Sequence, residues 1–250
     1  MHITSCGITD VGLKRVHNED NFLINDELQL FVVCDGMGGH AGGEVASAIA
    51  VHSLEEAFTT MSWEHESGVD VEKLTIEHMK VMVQLAGKKI FETAQKERRY
   101  RGMGTTCLAT YVQDNIAYVA HVGDSRGYLI RDHSIEQLTE DHSLVNERIR
   151  AGMMTVEEAK NHRLKNVITR SLGFENEVKV DVQTVELQKG DIILLCSDGL
   201  SNLVEAKEMG TVVLENPLQK SAQMLIQMAC DGGGDDNITV VLLRVDEVSE

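Results

Sequence analysis

The chain has 250 residues, a formal net charge of −17 and 42% hydrophobic residues, a composition typical of a globular protein. The acidic charge argues against a nucleic-acid partner, because phosphate backbones are held by clustered Lys and Arg side chains. No apolar run approaches the roughly 20 residues that span a bilayer, so no membrane segment is expected. The amino terminus lacks a secretory-signal pattern and no two of the five cysteines are spaced C-x-x-C, so we expect reduced thiols in a cytoplasmic protein.

Short apolar segments bounded by turn residues predict nine strands, most of them joined by short links as in antiparallel sheets. In chain order they are residues 3–8, 21–24, 28–34, 105–112, 115–122, 126–131, 178–187, 191–197 and 238–245.

Apolar spacing predicts two long helices at 44–60 and 72–98 and a late helix at 217–230, which opens at Pro217, the only proline of the chain. Two sheets with helices outside them form an α+β sandwich. We expect one domain spanning residues 1–250.

Residues 140–175 differ from the rest of the chain. They combine short helical turns with several basic residues in an otherwise acidic protein, and they interrupt a run of strands. Such an insertion is typical of a lid or flap.

Carboxylates stand at the ends of several predicted strands. One Asp-Gly pair needs no function, because it is a common turn dipeptide. Strand ends converge at the rim of a twisted sandwich, so several carboxylates would meet there and repel one another unless cations intervened. Oxygen ligands are preferred by magnesium, manganese and calcium rather than by zinc, and a glycine lets a backbone carbonyl approach as a further ligand. The carboxylates are Glu19, Asp20, Asp35, Asp124, Asp198, Asp235 and Asp236.

The segment 36–41 also fits the G-x-G-x-x-A pattern of a dinucleotide phosphate cradle. Asp35 would place a negative charge beneath the pyrophosphate, and a second helix follows the first instead of a second parallel strand. We therefore favour the cation site. No calcium-loop pattern of the D-x-D-x-D-G type occurs.

Eight motifs occur in order along essentially the whole chain: R-x-x-N-E-D (15–20), DGMGGHAGGEVAS (35–47), GTT (104–106), HVGDSR (121–126), TEDHS (139–143), RSLG (170–173), LLCSDGL (194–200) and DNITVV (236–241). Together they resemble the bacterial metal-dependent Ser/Thr protein phosphatases of the type 2C family. The resemblance implies a β-sandwich flanked by helices, with a flap and a centre of two Mg²⁺ or Mn²⁺ ions. By position, Asp35 matches the residue that bridges the two ions. The other metal-site positions, divided between these ions and a weaker third one, are Asp20, the Gly36 carbonyl, Asp124, Asp198 and Asp236.

The resemblance also implies hydrolysis of phosphoserine and phosphothreonine by a water between the two cations. Phosphorylated proteins, the products of a Ser/Thr kinase, are the expected partners, and a monomer is expected. Arg15 matches the residue that holds the substrate phosphate, and Asp35 takes part in catalysis through the ions. Animal members carry a histidine where this chain has Met37. His40 is our candidate for the proton donor that is missing there.

Three alternatives stay open. Arg15 could be a structural ion-pair partner of Glu19 or Asp20. The chain could be a catalytically silent signalling module, although it keeps all the metal-site aspartates. It could also be a metal-dependent phosphodiesterase, which the acidic charge disfavours.

Overall fold

Two stacked antiparallel sheets form the centre of the computed structural model, which describes residues 1–38, 42–61, 70–160 and 162–248. The strands are β1 (His2–Asp10), β2 (Asp20–Asn25), β3 (Leu30–Met37), β4 (Gly104–Thr105), β5 (Cys107–Gln113), β6 (Ile116–Val122), β7 (Arg126–Arg131), β8 (Ser134–Gln137), β9 (Asp181–Glu186), β10 (Ile192–Cys196) and β11 (Ile238–Glu247). One sheet has the order β1-β11-β10-β7-β8. The other has the order β2-β3-β5-β6-β9, with β4 paired to β3.

Helices cover the outer face of each sheet. Helices α1 (Gly42–Thr60) and α2 (Val71–Lys96) pack on the sheet that contains β3. The one-turn helix α5 (Asp198–Ser201) and helices α6 (Ala206–Glu215) and α7 (Leu218–Asp231) pack on the other sheet. Across the described residues, no helix is sufficiently long and apolar to cross a membrane. The predicted α+β sandwich of two sheets between helices is confirmed.

The core consists of three apolar layers, one between the sheets and one under each helix pair. Strand β6 contributes to two of them. Tyr118 and Ala120 face the helices α1 and α2, whereas Ala117 and Val119 face the opposite sheet. Because both faces of the central strands are covered, these strands are held rigidly and their ends are fixed in position.

Strand β8, the one-turn helix α5 and helix α6 were not predicted from the sequence. Strand β8 is mostly polar and is created by a tight hairpin, whose two turn residues Asp132 and His133 both have positive φ. That geometry is usually marked by Asn-Gly or Asp-Gly, which are absent here. Helix α6 begins at a capping box formed by Glu205 and Glu208, without the Ser or Thr that usually marks a helix start.

Residues 140–175, which we call the flap, contain the short helices α3 (Leu144–Arg150) and α4 (Val156–Lys160). The flap returns to the body at Leu172, which is fully buried and exchanges two backbone hydrogen bonds with Thr105, at 3.0 and 2.8 Å. The next residue, Gly173, has a φ of +90°, and a Cβ there would lie 2.2 Å from Cγ2 of Ile90 in α2. Only glycine allows this close approach.

We predict that Gly173→Ala destabilises the protein by about 3 kcal/mol or more, through both positive φ and collision with Ile90. Gly152→Ala is the matched control, because Gly152 also has positive φ (+68°) but nothing lies within 4 Å of an added Cβ. The control should lose only about 1 kcal/mol. Urea unfolding measures both losses, and equal losses would show that the contact with α2 is unimportant.

Candidate active site

A cleft of about 260 Å³ opens at the rim where strand ends of the two sheets meet. Six of the eight predicted site residues line it. Asp20 does not line it, and His40 lies outside the described residues. The six are Arg15, Asp35, Gly36, Asp124, Asp198 and Asp236.

Asp35 stands near the end of β3 and is fixed through its backbone. Its N–H donates to Oγ1 of Thr106 (2.9 Å), and its carbonyl accepts from the Thr106 N–H (2.8 Å) and from Oγ1 of Thr105 (2.9 Å). At the next position, Gly36, a Cβ would lie 2.2 Å from the Gly43 carbonyl oxygen. A side chain at Gly36 would therefore push the start of α1 away from the cleft.

Asp20 lies directly opposite Asp35 in the β2–β3 ladder and is 5% exposed. Its Oδ2 accepts hydrogen bonds from Oγ of Ser197 (2.7 Å) and Oγ1 of Thr239 (2.6 Å). These two hydroxyls come from the opposite sheet, so Asp20 joins the two sheets behind the cleft.

The carboxyl groups at this rim have raised pKa values. Burial, together with the nearby charge of Asp198, raises the pKa of Asp20 and of Asp124 to about 7. Burial, followed by repulsion from four other aspartates, raises the pKa of Asp35 well above its usual range. Burial and repulsion from Asp236 raise the pKa of Asp198, which also shares a hydrogen bond with Asp35. A bound cation would return these groups to their ionised form.

Two buried carboxylate oxygens at this rim, Glu19 Oε1 and Asp20 Oδ1, have no hydrogen-bond partner within the described part of the chain. A buried polar atom without a partner costs free energy, so such atoms point to a missing ligand. Within the described residues, the carboxylates and the Gly36 carbonyl at this rim are oxygen donors, which Mg²⁺ and Mn²⁺ prefer. The residues present therefore fit the divalent cations that the sequence resemblance implies.

Arg15 forms an ion pair with Asp236, whose Oδ2 lies 2.6 Å from its Nη2. The alternative drawn from the sequence was an ion pair of Arg15 with Glu19 or Asp20. Asp236, which lies 221 positions away in the chain, was not considered as a partner. The Arg15 side chain is still 49% exposed, so part of the guanidinium faces solvent at the cleft.

Asn237 holds the loop that carries Arg15. Its Nδ2 donates to the carbonyls of Val11 and His17, both at 3.0 Å, and its Oδ1 accepts from the Glu19 N–H at 2.8 Å. Asn237 was part of a motif, but nothing in its spacing indicated this role.

Other lining residues were missed or left without a role in the sequence. Thr106 belongs to the GTT motif, and Glu19 was considered as a carboxylate at a strand start and as an ion-pair partner of Arg15. Asn166 and Ile168 come from the flap, where no periodicity or spacing identifies them. The complete additional set is Glu19, Met37, Gly38, Thr106, Asn166 and Ile168.

The flap is joined to the Asp124 loop through His142. The Gly123 N–H donates to Nδ1 of His142 (3.1 Å), and the backbone N–H of His142 donates to the Gly123 carbonyl (2.9 Å). The His142 carbonyl accepts from Thr169 on the returning part of the flap at 2.7 Å. The two ends of the flap and the loop before Asp124 therefore meet at one residue.

Ring nitrogens of His121 and His142 and a carboxylate oxygen of Asp181 lie within 4.8 Å of one another, close enough to hold a metal ion. However, Nε2 of His142 already contacts Asp181 Oδ2 at 3.0 Å, and Arg170 and Lys179 pair with the same carboxylate at 2.8 and 3.1 Å. Two cationic side chains on Asp181 oppose a further cation. We interpret this group as hydrogen-bonded support for the flap.

Comparisons with known proteins agree with this geometry. Residues 14–231 match the family model described as Protein phosphatase 2C. The chain is 41% identical over 242 residues to the serine/threonine phosphatase stp of Listeria monocytogenes, covering 95% of this chain and 94% of that protein.

Solved structures give the same result. The serine/threonine phosphatase PstP/Ppp of Mycobacterium tuberculosis has a TM-score of 0.88 at 34% identity, covering 98% of this chain and 99% of that chain. The catalytic domain of PstP in complex with two manganese ions has a TM-score of 0.84 at 33% identity, with 98% and 99% covered. The resemblance seen in the motifs is confirmed, and the chain belongs to the protein phosphatase 2C family of metal-dependent serine/threonine protein phosphatases.

Proposed function

We propose that this phosphatase uses two divalent cations, Mg²⁺ or Mn²⁺, at the aspartate cleft to reverse the action of a Ser/Thr kinase in the cytoplasm. The observation that carries the metal assignment is the convergence of four strand-end aspartates beside two unpartnered buried carboxylate oxygens. The five cysteines are all free thiols, as expected for a reducing compartment.

The proposed ligands divide between the ions as the family resemblance implies. Asp35 would contact both ions, while Asp20 and the Gly36 carbonyl would serve one and Asp198 and Asp236 the other. A weaker third ion would use Asp124 together with Asp198. When bound, the ions would acidify a water and neutralise charge on the phosphoryl oxygens.

The other residues of the cleft would bind and orient the phosphate. The exposed part of the Arg15 guanidinium offers a planar pair of N–H donors that matches two phosphate oxygens. Asn166 on the flap offers a neutral amide on another side of the cleft. Met37 lines the cleft but carries no titratable proton, so His40 remains our candidate for protonating the leaving oxygen. Among the described residues no cysteine lines the cleft, which supports direct hydrolysis without a cysteine nucleophile.

We predict that phosphate release from a phosphothreonine peptide requires Mn²⁺ or Mg²⁺ and stops after treatment with EDTA. Asp236→Ala should lower turnover by a factor of about 100 or more, because loss of a direct ligand exceeds the effect of a supporting residue. Asp235→Ala is the matched control: Asp235 is exposed and does not line the cleft, so its loss should change the rate less than about threefold.

Calorimetric titration with manganese separates loss of metal binding from loss of fold in both aspartate variants. Full activity after exhaustive EDTA treatment would contradict the two-metal proposal. Equal losses at positions 235 and 236 would contradict the ligand assignment. Faster hydrolysis of a phosphodiester than of the phosphopeptide would favour the phosphodiesterase alternative.

We predict that Arg15→Ala lowers kcat/KM for a phosphopeptide by about tenfold or more, which corresponds to about 1.4 kcal/mol of transition-state stabilisation. Arg15→Lys should lose less, because an ammonium keeps the charge but not the planar donor pair. Manganese affinity should stay equal or increase in Arg15→Ala, because Asp236 loses its competing cationic partner.

Lys14→Ala removes a neighbouring exposed positive charge and is the control for general electrostatics. Steady-state kinetics and a manganese titration measure all three variants. If Arg15→Ala keeps normal kcat and KM but loses thermal stability or metal affinity, Arg15 is a structural partner of Asp236.

A further inference from the structure

A second cavity, of about 530 Å³, lies beside the aspartate cleft, between the flap and the body of the protein. Its volume is in the range of cavities that bind small ligands or side chains. Asp124, Asn166 and Asp198 line both the cavity and the cleft, so the two spaces adjoin.

The walls of this cavity are largely apolar on two opposite sides. The flap side presents aliphatic residues of α3 and α4, and the body side presents Tyr128 of β7 together with aliphatic residues before and at the start of α6. The residues that form these walls are Val145, Ile149, Val156, Ala159, Val204 and Ala206.

The polar groups within the cavity are mostly neutralised by one another. Arg126 binds Asp141 through Nε, at 3.0 Å from both carboxylate oxygens, and through Nη2 at 2.7 Å. Glu140 pairs with Arg150 at 2.9 Å. Asp124 and Asp198 face the cleft end, where the proposed cations would neutralise them. Lys165 and Glu205 also line the cavity, so it presents aliphatic walls on two sides together with polar and charged groups.

We propose that this cavity binds an apolar side chain of the phosphoprotein substrate, within three residues of the phosphorylated residue. The inference rests on the proposed function, because the phosphoryl group must occupy the adjoining cleft. An extended chain advances about 3.3–3.6 Å per residue, so a neighbouring side chain reaches the cavity while the phosphate stays among the aspartates. Burial of that side chain against the aliphatic walls supplies the binding free energy.

The test compares phosphothreonine peptides in which leucine is moved from three residues before the phosphothreonine to three residues after it. Serine and arginine at the same positions are the reference peptides. One leucine position should give a kcat/KM about tenfold higher than serine, the discrimination expected of an apolar pocket. Hydrolysis of p-nitrophenyl phosphate, which has no neighbouring residues, should not depend on the cavity.

The double variant Ile149→Gln/Val156→Gln makes the flap wall polar, and both residues are partly exposed, so the fold should tolerate the change. It should reduce the leucine preference to about twofold or less without changing the rate on p-nitrophenyl phosphate. Met153→Gln is the control, because Met153 is 78% exposed on the same segment and does not line the cavity. Ala206→Leu fills the cavity from the body side and should have the same effect as the double variant.

Equal kcat/KM for leucine and serine at every position, or a preference for arginine, would overturn the inference while leaving the proposed function intact. A leucine preference that survives both cavity variants, or that Met153→Gln reduces equally, would also overturn it. Failure to hydrolyse any of the peptides and p-nitrophenyl phosphate would instead overturn the proposed function, and the inference with it.

Discussion

Mutual repulsion among carboxylates at the strand-end rim is the constraint on which the rest of the structure depends. Ionised carboxylates that lie close together in a partly buried site strongly repel one another. The protein holds them in place through backbone and hydroxyl contacts. Oγ1 of Thr106 accepts the Asp35 N–H at 2.9 Å and shares a hydrogen bond of 2.7 Å with Ser125, the residue after Asp124. One threonine thus fixes two aspartates from different strand ends.

The three-layer core explains why these contacts can resist the repulsion. Asp35 lies near the end of β3, Asp198 follows β10 and Asp236 precedes β11. Most residues of these strands are buried, so a strand end cannot move without disturbing a close-packed layer. Asp20 adds a link between the sheets, because its hydroxyl partners Ser197 and Thr239 belong to the opposite sheet. The packing of the apolar layers therefore also fixes the positions of the carboxylates at the rim. Bound cations would relieve the repulsion between the carboxylates without moving the backbone.

The sequence predicted this site because the pattern that marks it lies within short, continuous segments of the chain. An apolar strand that ends in Asp-Gly occurs twice, at Asp35 and Asp198, and strand ends of a sandwich converge by geometry. The fold class followed from the same alternation of short strands and amphipathic helices. What the sequence could not provide were contacts between distant residues. The ion pair of Arg15 with Asp236 joins residues that are 221 positions apart, and no spacing rule predicts it.

The role of Asn237 was hidden for a related reason. An asparagine beside an aspartate is read as part of a turn, whereas its amide here satisfies three backbone groups of another loop. Strand β8 was missed because its pairing depends on a hairpin turn whose residues, Asp132 and His133, lack the usual sequence signal. A tertiary contact set the role of Asn237, whereas an unusual local turn set the pairing of β8.

The flap and the site are coupled through a neutral histidine. Burial, together with the nearby His121 and Arg170, lowers the pKa of His142 to about 4, so its ring is neutral at pH 7. A neutral ring can accept the Gly123 N–H at Nδ1 while Nε2 donates to Asp181, an arrangement that an imidazolium could not make. Gly123 directly precedes Asp124. A displacement of His142 in the flap would therefore also displace the Asp124 carboxylate in the cleft. The flap therefore supports the acidic rim through His142, and in the proposed substrate complex it would also form one wall for the substrate.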